Sequence, residues 1–154
     1  MAGMLLGRIF RAVGCGDHDG LASLLAENAA SSVDLNTHCP EGKTVLHLAA
    51  SMDRPGLVAL LAGAGADVDA LSGGEPPRAE TPLLLATQRS PAAALELLRL
   101  GARADLCDAE GRSPVICNEE ALAAAGVAAE ERRLREHLAA ALRERLSVRA
   151  SPAQ

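Results

Sequence analysis

Short apolar stripes alternate with small polar turns along the chain, and the stripes recur at helical spacing. In "TVLHLAAS", residues 44–51, Leu46, Ala49 and Ala50 fall on one narrow helical face behind Thr44. The frame returns in "TPLLLATQ", residues 81–88, and "SPVIC", residues 113–117, begins it again. Thr44, Thr81 and Ser113 are placed to cap a helix, each side-chain oxygen accepting from an otherwise unpaired amide of the first turn. Pro82 and Pro114 follow at the first helical position, where a missing N–H costs nothing; Val45 takes that place after Thr44. A second helix is expected each time, with Pro55 leading into "LVALL" and Pro91 into "ALELL" as buried stripes. Gly65 and Gly101 close these helices, being residues that take the left-handed conformation freely.

Two segments leave this frame. "ALSGGEPPRAE", residues 70–80, lengthens the turn before Thr81 by about four residues, and its Gly73, Gly74, Pro76 and Pro77 disfavour helix or strand. It reads either as a tolerated surface insertion or as a finger that touches a partner. "EERRLREHLAAALRERL", residues 130–146, reads as one helix with Leu134, Leu138, Leu142 and Leu146 four apart. A spacing of four drifts off the heptad of a coiled coil, so capping the end of a stack is the expected role. Glu131 and Arg135 are expected to brace its exposed face. "SVRASPAQ", residues 147–154, reads as a disordered tail from residue 148 onward.

Thr44, Thr81 and Ser113 stand 37 and 32 positions apart, and Gly65-Ala66-Asp67 aligns with Gly101-Ala102-Arg103 at 36. A period near 33 with a Thr-Pro-Leu-His-like start and a Gly-Ala-Asp-like finish resembles the ankyrin repeat. The likeness is strongest over residues 42–70, clear over 80–109, partial over 111–125 and degenerate over 4–36. It implies an all-α ankyrin-repeat solenoid of about three to four helix-turn-helix units. Residues 1–147 would form one domain, with a capping helix over 129–147 and a tail over 148–154. It also implies a role for His47, the histidine of the motif, which in such repeats ties units together by hydrogen bonds to neighbouring backbone and threonine. Leu84 and Ile116 stand at the equivalent places, which a catalytic histidine would not allow.

Composition agrees with helices. Apolar residues make up 49% of the chain, yet Phe10 is the only aromatic, so Ala and Leu must build the interior. The net charge is −5, with six Arg and four Glu over residues 130–149 and the acidic excess in the preceding part. That balance, and the lack of aromatic stacking positions, argues against nucleic acid and leaves room for basic partners. Cys15, Cys39, Cys107 and Cys117 form no Cys-x-x-Cys pair, and a zinc site drawing on His38 with three of them has no metal-site spacing. "MAGMLLGRIF" lacks the basic leader and apolar core of a signal peptide, Ala2 is not the glycine that myristoylation needs, and no apolar run spans a bilayer. A monomer of the cytoplasm or nucleus with reduced thiols is expected, without cofactor or metal.

No catalytic constellation is evident. There is no phosphate-binding glycine loop, no carboxylate pair in an acid–base setting and no nucleophile motif. Cys15 in "GCGDH" has Asp17 and His18 beside it, but the segment reads as a turn between helices. Ser-Pro pairs at 90, 113 and 151 invite phosphorylation, although Ser90 and Ser113 sit where helices need caps. What remains is binding. The resemblance implies that protein partners meet a concave face of hairpin tips and first helices, at Glu41, Lys43, Ser51 and Met52, then Arg78, Glu80, Gln88 and Arg89, then Glu110 and Arg112. Residues 34–69 look most like repeats of the inhibitor-of-NF-κB type, and "GARADLCDAEGRSPV" resembles the last unit of the short ankyrin inhibitors of cyclin-dependent kinases. The implied function is an adaptor or inhibitor. A substrate adaptor for a ubiquitin ligase stays open, although no SOCS-box or F-box segment follows residue 125.

Overall fold

Two parallel rows of helices account for the alternation of stripes and turns. The computed structural model describes residues 2–73, 79–124 and 126–150. Among them the chain forms α1 (Ala2–Cys15), α2 (His18–Ser31), α3 (Val45–Ala50), α4 (Pro55–Gly63), α5 (Pro82–Arg89), α6 (Pro91–Arg99), α7 (Pro114–Ala123) and α8 (Ala129–Ala150), with no strand. Consecutive helices pack in pairs. The odd-numbered helices also pack on one another in order as an inner row, and the even-numbered ones as an outer row.

The local chemistry follows the sequence closely. Thr81 Oγ1 accepts from the Leu84 amide at 3.2 Å, and Ser113 Oγ accepts from Ile116 at 3.4 Å. Ser90 Oγ accepts from Ala93 at 3.2 Å, and Asp17 caps α2 through Gly20 at 2.9 Å. Proline occupies the first turn of α4, α5, α6 and α7. The short inner helices bring Leu46, Ala49, Leu83 and Ala86 to zero exposure, against Leu57, Val58, Ala93 and Leu97 of the outer row. Small alanines let the helices approach closely, which is how a chain with one aromatic residue still closes a core.

The C-terminal end differs from expectation in three ways. First, α8 packs on α7 and α6 as α6 packs on α5 and α4, so it is the outer helix of a fourth pair rather than a separate cap behind a partial unit. It is longer than its counterpart, 22 residues against 9. Second, it continues to Ala150, so residues 148–150 are helical, while 151–154 lie outside the described residues. Third, Arg135 does not brace an exposed face. It is 3% exposed and still 2.8 Å from Glu131 Oε1, but its guanidinium points inward to the carbonyls of Thr87 at 2.7 Å and Gln88 at 3.5 Å. Those carbonyls end α5 and have no partner within the helix, so the cation satisfies them and complements the helix dipole. Arg145 donates likewise to Leu98 O at the end of α6. Asn118 completes the seam, giving its amide to Arg135 O at 2.9 Å.

The turns between pairs are joined by a relay. Asn36 Oδ1 accepts from the Asp67 amide, and Asp69 Oδ1 from the Arg103 amide, each at 2.8 Å. Asp105 occupies the same place in the next turn, where its partners are side chains. It binds Arg103 and Arg149 of α8, each at 2.8 Å, and the Arg103 hydrogen bond leads in holding its pKa down to about 2.

Candidate protein-interaction surface

The inner helices α3, α5 and α7 are each preceded by a hairpin. In the one before α3, Cys39 donates to Lys43 O and Gly42 to Cys39 O, both at 2.8 Å; in the one before α7, Asp108 donates to Arg112 O at 3.1 Å and Gly111 to Asp108 O at 3.0 Å. The corresponding closure before α5 is Ser72 N to Glu80 O at 2.9 Å, which leaves the inserted residues between these two positions. Gly74, Pro76 and Pro77 lie outside the described residues; the neck itself is closed by hydrogen bonds. Glu80 N donates to Ser72 Oγ at 3.0 Å, and Gly73 N to Gly42 O of the preceding hairpin at 2.6 Å.

His47 belongs to this framework. It has zero exposure; Nδ1 lies 3.3 Å from Thr44 N and 2.9 Å from Thr44 Oγ1, and Nε2 lies 2.9 Å from Glu80 O. A neutral ring with its proton on Nε2 satisfies all three, donating to Glu80 and accepting from Thr44. Burial pushes its pKa down, against the pull of the Glu80 carbonyl, and the charges of His38 and Lys43 lower it further. His47 therefore ties α3 to the neck of the next hairpin, as the sequence implied.

The expected contact positions divide by environment. Glu41 and Glu110 are exposed, as is Arg89, which lines a cleft with Asp53, Pro91, Glu130 and Leu134. Lys43, Ser51 and Gln88 are half-buried, and Met52 packs on the core. Ser51 Oγ donates to Leu48 O at 2.7 Å, and Gln88 Nε2 lies 3.8 Å from the buried Cys117 sulfur, whose pKa burial raises. Arg112 is held by Asp108 at 2.9 Å and Glu110 at 2.8 Å. Glu80 departs from its expected placement, being only 7% exposed. Arg78 lies outside the described residues. Among those residues no His, Cys, Asp or Glu cluster forms a metal cage, and no helix is long and apolar enough to cross a membrane. Cys15 is exposed at the end of α1, beside Gly16 and the α2 cap Asp17.

One feature of this face was not legible beforehand. A cleft of about 390 Å³ lies between α1, the first hairpin and α3, lined by Phe10, Cys39, Pro40 and Leu48 and rimmed by Glu41 and Lys43. Phe10 belongs to the degenerate first pair, where no motif flags it; its being the only aromatic residue was the one available signal.

Residues 41–72 match the family model of the ankyrin repeat. No curated protein matches the chain. Ankyrin repeats are typically non-catalytic and serve protein–protein interaction. The matched unit carries the His47 tie, helix pairs stack on both sides of it, and the two that follow repeat its cap at Thr81 and Ser113. This chain folds as an all-α ankyrin-repeat solenoid.

Proposed function

We propose that the chain is a non-catalytic adaptor or inhibitor that holds a segment of another protein along the hairpins and inner helices. The observation that carries this reading is the cleft between Phe10, Cys39, Pro40 and Leu48, which offers a recess for an apolar anchor. Glu41, Arg89 and Glu110 are exposed on successive units, and charges there would help to exclude wrong partners. The four cysteines are unpaired, as reduced thiols of a cytoplasmic or nuclear protein would be.

The test is affinity capture with mass spectrometry, comparing the intact chain with a variant carrying Glu41→Lys, Lys43→Glu and Arg89→Ala. The reading predicts partners lost from the variant while its helicity and melting curve hold. A second variant, Arg132→Ala with Arg133→Ala on the exposed side of α8, should retain them. Loss only from the second variant would move the binding element to α8. Removing α8 altogether is not a clean control, because it is the outer helix of the last pair. An inhibitor-of-NF-κB-like role draws on the sequence likeness of residues 34–69 and calls for a Rel-type factor among the captured proteins. A cyclin-dependent kinase would favour the second likeness, and a ubiquitin ligase subunit the adaptor alternative.

A further inference from the structure

Among the described residues, the inner row ends on both sides in a helix with an open face. α1 packs on α2 and α3, and α7 on α5 and α8. α1 exposes Met4, Arg8 and Arg11 at helical spacing, with Met4 at 73%. α7 exposes Ile116, Glu119 and Glu120, again one large apolar side chain followed by two like charges, with Ile116 at 42%. Ile116 stands where α3 has His47 and α5 has Leu84, both of zero exposure, and His47 there reaches the hairpin of the following unit. Charge runs in opposite senses at the two ends. α1 holds Arg8 and Arg11 and no carboxylate, while α2 beside it holds Asp19 and Glu27 and no Lys or Arg. α7 holds Glu119 and Glu120 and no Lys or Arg, while α8 holds six Arg against four Glu. Arg8 lies 3.2 Å from Glu27 and Glu119 3.5 Å from Arg143, whereas Arg11 and Glu120 form no ion pair with another described residue.

We propose that the two ends bind each other: a second copy of this chain stacks head to tail, its α1 and α2 continuing the inner and outer rows beyond α7 and α8. Charge on both rows selects this occupant. Arg8 and Arg11 of the second copy meet Glu119 and Glu120, and the acidic α2 meets the basic α8. Two like ends joined row to row would instead set Arg8 and Arg11 against their own copies. Within α8, Arg135 and Arg145 are engaged with the carbonyl ends of α5 and α6, and Arg149 with Asp105, so its charge acts as a field rather than through a fixed pair. Met4 and Ile116, the exposed large apolar side chains of α1 and α7, leave water together. The contact is small. Two 14-residue helices side by side present about 21 Å by 20 Å, or about 400 Å² per copy, roughly half of what a stable complex covers. The association is therefore weak and reversible, and a head-to-tail contact that does not close into a ring grows with concentration. It lies at the ends of the stack and does not rest on the hairpin face of the proposed function.

The experiment is sedimentation velocity of the intact chain from micromolar to near-millimolar concentration, at low and at high salt. The average mass should rise with concentration, and the rise should shrink as salt is raised. Arg11→Glu and Glu120→Lys, each at an exposed position, should each weaken the association about tenfold. The double variant sets opposite charges across the contact again and should recover most of the loss. Thermal melts of all three should match the intact chain; should one of them melt early, Ile116→Ser supplies the same loss through the apolar contact. A mass that does not change with concentration would overturn the proposal. So would association that responds to only one of the two substitutions, or a double variant no better than either single one, since both outcomes place the contact elsewhere.

Discussion

Ser32, Gly65 and Gly101 occupy one structural slot, the residue that ends the outer helix or follows it before the Asn36, Asp69 and Asp105 turns. All three are left-handed, with φ of 53°, 97° and 96°. Glycine takes that conformation without penalty, whereas a residue with a Cβ does not. Ser32→Gly should therefore raise stability by about 0.5 kcal/mol, the relieved strain exceeding the added freedom of the unfolded chain. Gly101→Ala should lower it by about 1 kcal/mol through the backbone alone, since nothing lies within 4 Å of the new methyl. Urea denaturation of both variants checks the pair, and equal effects of the same sign would contradict it. His47 gives the pH prediction. Its folded pKa lies below the ordinary value of 6.5, so the unfolded chain takes up the proton first as pH falls. The stability it supplies is complete above about pH 6.5 and is lost as pH drops towards the folded value. The difference between the intact chain and His47→Gln, about 1–2 kcal/mol at pH 7.5, should shrink by pH 5.5 in urea titrations. A difference independent of pH would mean that the ring is not held neutral.

At the scale of elements, the caps, the helix-starting prolines and the terminal glycines were legible because each is a local bargain between one side chain and one orphan backbone group. Thr81, Ser90 and Ser113 cap helices because their oxygens lie three residues from an unpaired amide, a relation visible in sequence. Arg135 was not legible, since its partners Thr87 and Gln88 stand 48 and 47 positions away and only the stacking of the fourth pair on the third brings them together. The i to i+4 pairing with Glu131 was foreseen, but not the side of the helix that carries it. Arg135→Ala should cost about 2–4 kcal/mol by uncapping α5 and leaving Asn118 and the α5 carbonyls short of donors. Glu131→Gln, whose partner's cation keeps its other bonds, should cost under about 1 kcal/mol. Equal losses in thermal melts would mean that the ion pair, not the cap, holds the helix. The inserted turn divides in the same way. Shortening within residues 74–77 should leave the melting curve nearly unchanged, because loop length enters only logarithmically. Ser72→Ala should cost about 1 kcal/mol, since Ser72 closes the neck against Glu80. A shortening that begins at residue 72 thus removes packed structure, whereas one that begins beyond it does not.

Across the whole molecule, stability passes from neighbour to neighbour: the Asn36 and Asp69 relay joins the turns, His47 joins α3 to the next hairpin, and Arg135 and Arg145 fasten α8 to the ends of α5 and α6. In such a stack the hairpins and inner helices line one continuous side. The fold was legible because the repeat is a local pattern stated several times. The cleft was not, because it arises where Phe10 of one unit meets Leu48 and the hairpin of the next. The central claim is that this face holds the partner, and amide hydrogen exchange of the chain, free and bound to a captured partner, tests it most directly. Slowed exchange concentrated in residues 39–43 and 47–52, extending to 86–89, with α8 unchanged, is the predicted result. Slowing confined to α8 and the outer row would contradict the account.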